Sequence, residues 1–329
     1  MVIPTLVADT VLEECLRSLE AQTMRDFEVI VVDNSGKGLA RRGAAAQAVR
    51  ILENDHNAGF GAAINQGLRA SSAPLVAALN DDAAAWPGWL AALAGAMAAR
   101  PDAGMCASQV RLAGEGLLDS AGMLICADGT SKQRGHRETP DKFAGAEEVL
   151  LPSACAAVYR RTMLEEIGGF DEDFFLFAED TDVGLRARWA GWTCLYVPEA
   201  VVDHRYSHSA GAASPLKAYY VERNRLFLIV KNFPAGALMK APLATLARYF
   251  WHVAAILRGR GAAARFRTEG NSGWRLALYA LRAHLALAAA WGSLWRKRRA
   301  IRNGARIGAA EFCGLLRQYS ITARDVATL

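Results

Sequence analysis

The first third of the chain alternates segments of strand-like and helix-like hydrophobic spacing. A short apolar run ends at Val2-Ile3-Pro4, and residues 10–22 then carry apolar side chains at steps of three and four. Residues 27–32 form a β-branched run that stops at a turn, and Leu75–Leu79 is a second apolar run. This alternation predicts βαβ units, and therefore an α/β fold with a mostly parallel sheet flanked by helices. Ligands of such sheets bind where the carboxyl ends of the strands open into a crevice.

The rest of the first two thirds continues this pattern less regularly. The spacing predicts helices over residues 61–70, 89–99, 159–168 and 181–190, and further short strands over residues 50–52 and 194–197. The Gly-rich stretch 106–152 has only weak strand signals, so we expect an insertion or loop region that faces the ligand site.

Beyond residue 215 the pattern becomes helical. One apolar stripe recurs at three- and four-residue steps through Trp274, Leu278, Leu281, Leu285, Ala288, Trp291 and Trp295. Arginines flank the stripe, and Arg296-Lys297-Arg298-Arg299 follows it. A basic amphipathic helix with tryptophans is typical of helices that lie in a membrane interface. A helix that packs its stripe on the rest of the protein would show the same pattern.

The charge divides at the same place. Residues 1–215 contain 18 Lys and Arg against 29 Asp and Glu, a net charge of −11, whereas residues 216–329 contain 20 against 4, a net charge of +16. We therefore expect a ligand-binding domain over 1–215 and a basic helical region over 216–329. The basic region suits anionic lipid, nucleic acid or a pyrophosphate-linked substrate, and the charge alone does not choose among them.

The composition predicts a protein of the cytoplasm. No stretch of about 18 apolar residues runs without a charge, which argues against a membrane-spanning helix, and the N-terminus lacks the pattern of a signal peptide. The six cysteines form no CxxC pair, which favours reduced, buried thiols over a disulfide framework or a zinc site.

Asn80-Asp81-Asp82 directly follows a predicted strand and is the first candidate for chemistry. Adjacent carboxylates repel each other unless a cation lies between them. Oxygen ligands suit Mg²⁺ or Mn²⁺, so the pattern indicates a divalent metal bound to a diphosphate. A solvated acidic turn that caps the next helix is the alternative.

A second acidic group, Glu179-Asp180, lies among four phenylalanines. Apolar neighbours raise the pKa of a carboxyl group toward the range that suits a general base. The same residues also stand where a helix N-terminus favours negative charge. His204 is a further candidate ligand, although a single histidine is more often structural, and the glycines at 59 and 61 are by themselves a weak phosphate-loop signal.

Together these segments resemble the GT-A nucleotide-sugar glycosyltransferases of the large inverting family 2, which includes bacterial rhamnosyltransferases. The resemblance covers about residues 2–232, in order and at the expected spacing. It is carried by Ile3-Pro4-Thr5, Ser18-Leu19-Glu20-Ala21-Gln22-Thr23, Val31-Val32-Asp33-Asn34-Ser35, Asn57-Ala58-Gly59-Phe60-Gly61, Asn65-Gln66-Gly67, Leu79-Asn80-Asp81-Asp82-Ala83, Tyr159-Arg160-Arg161, Gly168-Gly169-Phe170-Asp171-Glu172, Phe174-Phe175, Glu179-Asp180-Thr181-Asp182, Arg186, Gly191-Trp192, His204 and Glu222-Arg223-Asn224-Arg225.

The resemblance implies a donor site and a metal site. Pro4, Thr5 and Asp33 would line the nucleotide pocket, with Asp33 accepting a hydrogen bond from the base, and Asn57 and Gly59 would lie beside the nucleoside. Asn80-Asp81-Asp82 stands where the family carries its DxD-like motif, so Asp82 would hold Mg²⁺ or Mn²⁺ on the diphosphate with Asp81 nearby. His204 matches a position that can complete the metal shell. Asn80 departs from the acidic first position of that motif.

The resemblance also implies the reaction. Asp180 matches the general base that deprotonates the acceptor hydroxyl, with inversion at the anomeric carbon. The implied partners are a dTDP- or UDP-sugar, with rhamnose as the leading sugar, a glycan or lipid-pyrophosphate-linked acceptor, and an anionic membrane surface, but no nucleic acid. The implied place is the inner face of the cell membrane, in cell-surface polysaccharide synthesis. Val7 and Ser153-Ala154-Cys155 depart from the usual family residues without removing a catalytic group.

Other classes fit less well. A nucleotidyltransferase should carry a basic, Gly-rich phosphate loop after its first strand, where this chain has Thr5-Leu6-Val7-Ala8. A dehydrogenase would need GxGxxG in that turn. A non-catalytic membrane-surface protein that binds nucleotides would keep the helices and lose the key carboxylates, yet Asp82 and Asp180 are both present.

Overall fold

The computed structural model describes residues 1–42, 49–205, 214–259, 261, 266 and 274–328. Contacts between residues divide the chain into two compact units. The first unit comprises Met1–Met123, Gln133–Ala187 and Trp192–Ser209, and the second comprises Leu124–Lys132, Arg188–Gly191 and Ala210–Leu329. The second unit therefore takes two short segments from the part of the sequence that precedes its helices.

The strands are β1 Val2–Thr5, β2 Ile30–Asp33, β3 Arg50–Glu53, β4 Leu75–Leu79, β5 Ala83–Ala85, β6 Ala103–Leu112, β7 Leu118–Ser120, β8 Met123–Cys126, β9 Ser131–Gln133, β10 Glu147–Glu148, β11 Ala156–Arg160, β12 Thr193–His204 and β13 Ser320–Ile321. The helices are α1 Thr10–Glu20, α2 Phe60–Ala70, α3 Trp89–Ala99, α4 Arg161–Ile167, α5 Glu179–Trp189, α6 Pro215–Asn232, α7 Ala235–Leu257, α8 Trp274–Asn303, α9 Ala309–Gln318 and α10 Ala323–Thr328.

The central sheet of the first unit is mostly parallel, as predicted. Its strand order is β10-β12-β6-β11-β4-β1-β2-β3, with β5 paired to β12 and β7 paired to β6. β1 runs parallel to β2 and β4, β2 to β3, and β6 to β12, whereas β11 is antiparallel to both β4 and β6. The carboxyl ends of β1, β2 and β4 consequently lie side by side at one edge of the sheet.

Both faces of this sheet are covered by helices. Because alternate residues of a strand point to opposite faces, Ile3 packs with α1 and α3, and its neighbour Val2 packs with α2, α4 and α5. Asp9 caps α1 through a hydrogen bond from the Val11 N–H to its carboxylate, 3.0 Å. The two cores fix the strand ends from both sides.

Several sequence predictions were wrong in their elements or bounds, including the strand predicted over 27–32, which is β2 Ile30–Asp33. The stretch 106–152 is not a loop region, because β6, β7, β8, β9 and β10 all include residues of it. Tyr159 lies in β11, and the helix predicted to begin there starts at Arg161. The strand predicted over 194–197 continues to His204, since a register shift between Val197 and Val201 accommodates Pro198 within β12.

The second unit is mainly helical. α6 packs against α8, and α7 packs against α10. Its interior contains a balanced group of buried charges, in which Arg248 contacts Asp128 and Glu222, and Arg225 contacts the same two carboxylates. A small sheet of order β13-β8-β9 completes this unit. Across the described ranges, we find no helix that combines the length and the apolar character needed to cross a membrane.

Two helical glycines test the packing of the first unit. A Cβ at Gly67 would lie 2.3 Å from Cγ2 of Val2, whereas a Cβ at Gly95 would meet nothing within 4 Å. We expect Gly67→Ala to lower the free energy of unfolding by about 1–3 kcal/mol through overpacking. Gly95→Ala should instead raise it by about 1 kcal/mol, because alanine favours the helix. Chemical denaturation of both variants measures the difference, and equal effects would contradict the packing of α2 on β1.

Candidate functional site

The donor-side residues stand at the ends of β1 and β2. Pro4 and Thr5 are the last two residues of β1, and they pair with Val32 and Asp33 of β2. The Thr5 carbonyl accepts a hydrogen bond from the Asn34 N–H, 2.8 Å. This bond fixes the positions of the two strand ends relative to each other. The sheet thus brings together three of the predicted nucleotide-pocket residues, namely Pro4, Thr5 and Asp33.

Asp33 is buried and oriented by backbone donors. Its Oδ1 accepts from the Ser35 N–H and its Oδ2 from the Ala40 N–H, both at 2.8 Å. Burial by itself raises the pKa of Asp33, but these hydrogen bonds and that of the Ser35 side chain lower it below its usual value. Asp33 is therefore an ionised hydrogen-bond acceptor at the end of β2.

Asn57 and Gly59 form the turn that begins α2. The Asn57 Oδ1 accepts from the Gly59 N–H, 3.0 Å, and Gly59 has φ +91°. A Cβ at Gly59 would lie 2.3 Å from the carbonyl oxygen of Phe175, and that same oxygen accepts from the Phe60 N–H, 2.9 Å. Only glycine allows this approach, which joins the turn to the segment before Asp180.

Asn80-Asp81-Asp82 follows β4, as expected. The Asn80 N–H donates to the Cys155 carbonyl, 2.8 Å, and holds the start of the motif against β11. Burial raises the pKa of Asp81 to about 6, opposed by a hydrogen bond with Thr5 and reinforced by the charge of Asp82. A cation bound nearby would lower this pKa and favour the ionised form of Asp81.

His204 lies between two carboxylates. Its Nε2 is 3.2 Å from Oδ1 of Asp82, and its Nδ1 is 2.8 Å from Oδ2 of Asp119. Burial lowers the pKa of His204, but its contacts with Cys155, Asp119 and Asp82 outweigh burial and raise the pKa well above its usual value. The imidazole therefore carries a proton that a cation bound between Asp82 and Nε2 would replace.

The sheet register explains this juxtaposition. His204 is the last residue of β12 and pairs with Ala83 of β5, next to Asp82, and with Leu112 of β6. β7 pairs with β6 on its other side and carries Asp119. Asp119 was missed from the sequence because its stretch was interpreted as loop. A lone carboxylate inside the apolar run 117–125 was the available signal, since such a group is buried only with a partner.

The residues fit a metal ion that is held jointly with a ligand. In the described segments, no group of three or more His, Cys, Asp and Glu side chains has the arrangement of a metal cage. Asp82 and His204 would supply two ligands and leave the others to a substrate, as in Mg²⁺ sites that combine one or two carboxylates with substrate phosphates. Asp119 orients the imidazole from behind, as carboxylates do for metal-ligating histidines.

Glu179 and Asp180 begin α5 after a strained segment. Phe175, Phe177 and Ala178 all have positive φ, between 61° and 69°, which non-glycine residues adopt at a cost. Asp180 accepts from the Thr181 N–H, 2.6 Å, and from the Ala154 N–H, 3.4 Å. Burial raises the pKa of Asp180 more than these donors lower it. A carboxylate with a raised pKa that keeps partial exposure fits proton abstraction.

Glu179 is the more deeply buried member of the pair. Burial, and then the charge of Asp180, raises the pKa of Glu179 to about 8. Among the described residues, none forms a hydrogen bond with its Oε2. Because the pKa of Glu179 is higher in the folded than in the unfolded protein, folding is favoured when Glu179 is protonated. This contribution to the free energy of unfolding is complete below the unfolded pKa of about 4.3, and it is lost as the pH rises through about 8.

Replacing Glu179 by glutamine should remove this dependence on pH. Between about pH 5 and 8, we expect the free energy of unfolding to fall more steeply in the wild type than in Glu179→Gln, by up to about 1.4 kcal/mol per pH unit. Denaturant titrations across this range measure the two slopes. The exposed Glu199 provides the control, because Glu199→Gln should follow the wild type. Parallel wild-type and Glu179→Gln slopes would show that Glu179 is ionised throughout.

Comparisons with known proteins identify the family of this chain. A model of the family described as Glycosyl transferase family 2 matches residues 1–168, and one described as Glycosyl transferase family group 2 matches residues 144–295. An N-acetylglucosaminyl-diphospho-decaprenol L-rhamnosyltransferase of Mycobacterium tuberculosis is 32% identical over 237 residues, which cover 64% of this chain and 77% of that protein. A pre-mycofactocin glycosyltransferase of the same organism is 29% identical over 268 residues, which cover 76% of this chain and 55% of that protein.

Solved structures show the fold. A mannosyltransferase from Pyrobaculum calidifontis in complex with GDP-Man and Mn²⁺ matches with a TM-score of 0.54 at 20% identity, covering 94% of this chain and 86% of that one. GalNAc-T7 with UDP, GalNAc and Mn²⁺ matches with a TM-score of 0.57 at 14% identity, covering 70% of this chain and 47% of that one. The predicted GT-A fold is confirmed by these neighbours and by the mostly parallel sheet. With the family model matching half of its length, the chain belongs to glycosyl transferase family 2.

Proposed function

We propose that this glycosyltransferase moves a sugar, with inversion, from a nucleoside diphosphate sugar to a glycan or lipid-pyrophosphate-linked hydroxyl. The observation that carries the proposal is the pair of contacts made by Ala154-Cys155. The Ala154 N–H contacts Asp180, and the Cys155 carbonyl accepts from the Asn80 N–H. One dipeptide thus joins the candidate base to the candidate diphosphate motif, which a transferase needs within reach of one sugar.

The donor side is assigned to the ends of β1, β2 and β4. Thr5 and Asp33 would bind the nucleoside with Asn57 and Gly59, and Asp82 and His204 would hold Mg²⁺ or Mn²⁺ on the diphosphate. A bound cation would neutralise the charge of the departing nucleoside diphosphate. The neighbours solved with UDP or GDP-Man and Mn²⁺ support this assignment. The rhamnosyltransferase relative supports rhamnose as the sugar, and we propose dTDP or UDP as its carrier.

Asp180 would act on the acceptor. Its carboxylate takes the proton of the acceptor hydroxyl as the oxygen attacks the anomeric carbon from the face opposite the diphosphate. The new glycosidic bond forms as the bond to the diphosphate oxygen breaks, and the nucleoside diphosphate leaves with the electron pair. Attack from the opposite face inverts the anomeric configuration. Thr181 and Ala154 keep Asp180 in one orientation through their N–H groups.

The acceptor end of the proposal involves the basic second unit. The apolar stripe of α8 is exposed at Trp274, Leu281, Leu285 and Trp291, and Arg296–Arg299 lies near the end of that helix. A relative whose name includes a diphospho-decaprenol acceptor supports a lipid-linked substrate. We place the enzyme at the inner face of the cell membrane, held there by anionic lipid, where it would contribute to cell-surface polysaccharide synthesis.

Release of nucleoside diphosphate tests the transfer reaction. With a panel of nucleotide sugars and Mn²⁺ or Mg²⁺, we expect release from one donor, and Asp180→Asn should slow it about 10²- to 10⁴-fold because the amide accepts no proton. Asp173→Asn is the matched control, since Asp173 is an exposed carboxylate of the same segment. Undiminished release by Asp180→Asn would contradict the role of Asp180 as general base. Release unaffected by EDTA would contradict the requirement for a divalent metal ion.

A second prediction concerns Asp119, whose two oxygens each lie near one imidazole, 2.8 Å from His204 and 3.2 Å from His136. Asparagine offers only one acceptor oxygen, so one imidazole would face an amide N–H₂. We expect Asp119→Asn to weaken Mn²⁺ binding about 10- to 100-fold in the presence of nucleoside diphosphate, measured by calorimetry. His136→Gln, which leaves the His204 contact intact, should bind Mn²⁺ like the wild type. Unchanged affinity in Asp119→Asn would remove Asp119 from the metal assignment.

A further inference from the structure

The most extensive apolar surface in the described segments outside α8 is one face of α7. Six large apolar side chains recur along it at alternating steps of four and three residues and are 58–83% exposed: Met239, Leu243, Leu246, Phe250, Val253 and Leu257. At 1.5 Å per residue the row is about 27 Å long. Single exposed apolar residues are ordinary on protein surfaces, but a continuous row of this length marks an interaction surface.

The remaining exposed positions of α7 are also almost free of charge. They are Ala235, Gly236, Lys240, Pro242 and Ala247. Lys240 is thus the one charged residue on the exposed face, and α7 as a whole contains no Asp or Glu. Trp251 is a half-buried aromatic residue beside this face, and amphipathic aromatic rings favour the boundary between water and lipid.

The opposite face of α7 is engaged within the second unit. Arg248 donates to Asp128 and, at 2.7 Å, to Glu222, and Thr245 accepts from Arg225 at 3.1 Å. These groups are buried, and the two carboxylates balance the two guanidinium groups. Because buried ion pairs fix this face, only the apolar face of α7 is accessible to a partner. A partner would therefore contact α7 along the length of the helix.

The choice of partner follows from the charges. A coiled-coil seam has the same four-three spacing, but its flanking positions usually carry charges that select the second helix, and α7 lacks them. α8 also contains no acidic residue, while its exposed positions carry Arg275, Arg282, Arg296 and Arg299. Two copies of this unit would bring like charges together, whereas a bilayer with anionic headgroups matches both the apolar face and the basic side chains.

We propose that the exposed face of α7 inserts into the boundary between headgroups and acyl chains of an anionic membrane. The inference rests on the proposed transfer to a lipid-linked acceptor, and it names α7, which the sequence patterns did not single out, as the apolar contact. α8 then adds charge attraction. Apolar insertion is not screened by salt, so attachment through α7 persists where attachment by charge alone is lost.

The test uses the full-length protein and vesicles of about 70% phosphatidylcholine and about 30% phosphatidylglycerol. We expect the wild type to sediment with the vesicles and to stay bound in about 1 M NaCl. The double variant Leu243→Glu/Phe250→Glu places two carboxylates on the face and should reduce partitioning at least about tenfold. Ala310→Glu/Gln318→Glu adds the same charge to exposed positions of α9 in the same unit and should partition like the wild type.

Two further measurements separate the alternatives. Sedimentation velocity without lipid should give the same monomer for the wild type and the α7 variant, and a wild-type dimer that the α7 substitutions dissociate would overturn the proposal in favour of a second copy. Equal vesicle binding by the wild type and the α7 variant would also overturn it. Nucleotide release with a water-soluble acceptor should be equal in both proteins. If neither protein released nucleotide while vesicle binding was as expected, the proposed function would be contradicted and the membrane-binding role of α7 would still be supported.

Discussion

The parallel pairing of β1 with β2 and β4 is the constraint on which the candidate site depends. It ends three strands at one edge, so that Thr5, Asp33 and Asn80-Asp81-Asp82 lie side by side although they are far apart in the chain. Burial of alternate strand residues on both faces keeps the strands from slipping, because a shift of one residue would exchange the two cores. The polar strand ends are therefore held by apolar packing.

β12 adds the other half of the site. It crosses beside β6 and β5 and brings His204 to Asp82, while β7 brings Asp119 to the far side of the imidazole. A buried group of two carboxylates and one imidazole is stable only if its charges are matched. A protonated His204 offsets one of the two negative charges without a ligand, and the remaining negative charge favours a cation at the proposed metal site.

Local periodicity in the sequence was sufficient for several elements. Leu75–Leu79 and Trp89–Ala99 were predicted to the residue, and the fold class and family are confirmed. It failed where long-range pairing decided the structure. β6 contains Gly104 and Gln109, which weaken its strand pattern, and Pro198 hid the continuation of β12 to His204. Asp119 could not be connected to His204 without the register of β7 on β6. The roles of the individual site residues remain predictions.

We propose that the ends of β1, β2 and β4, together with β12, form one donor and metal site. A crystal structure with Mn²⁺ and the nucleoside diphosphate of the active donor tests this most directly, because Mn²⁺ is located by its anomalous scattering. We predict a single Mn²⁺ ligated by Asp82, by Nε2 of His204 and by the diphosphate, with Asp119 still on Nδ1 and the base near Asp33. Bound nucleotide with Mn²⁺ on other residues, or with His204 still paired to Asp82, would contradict it.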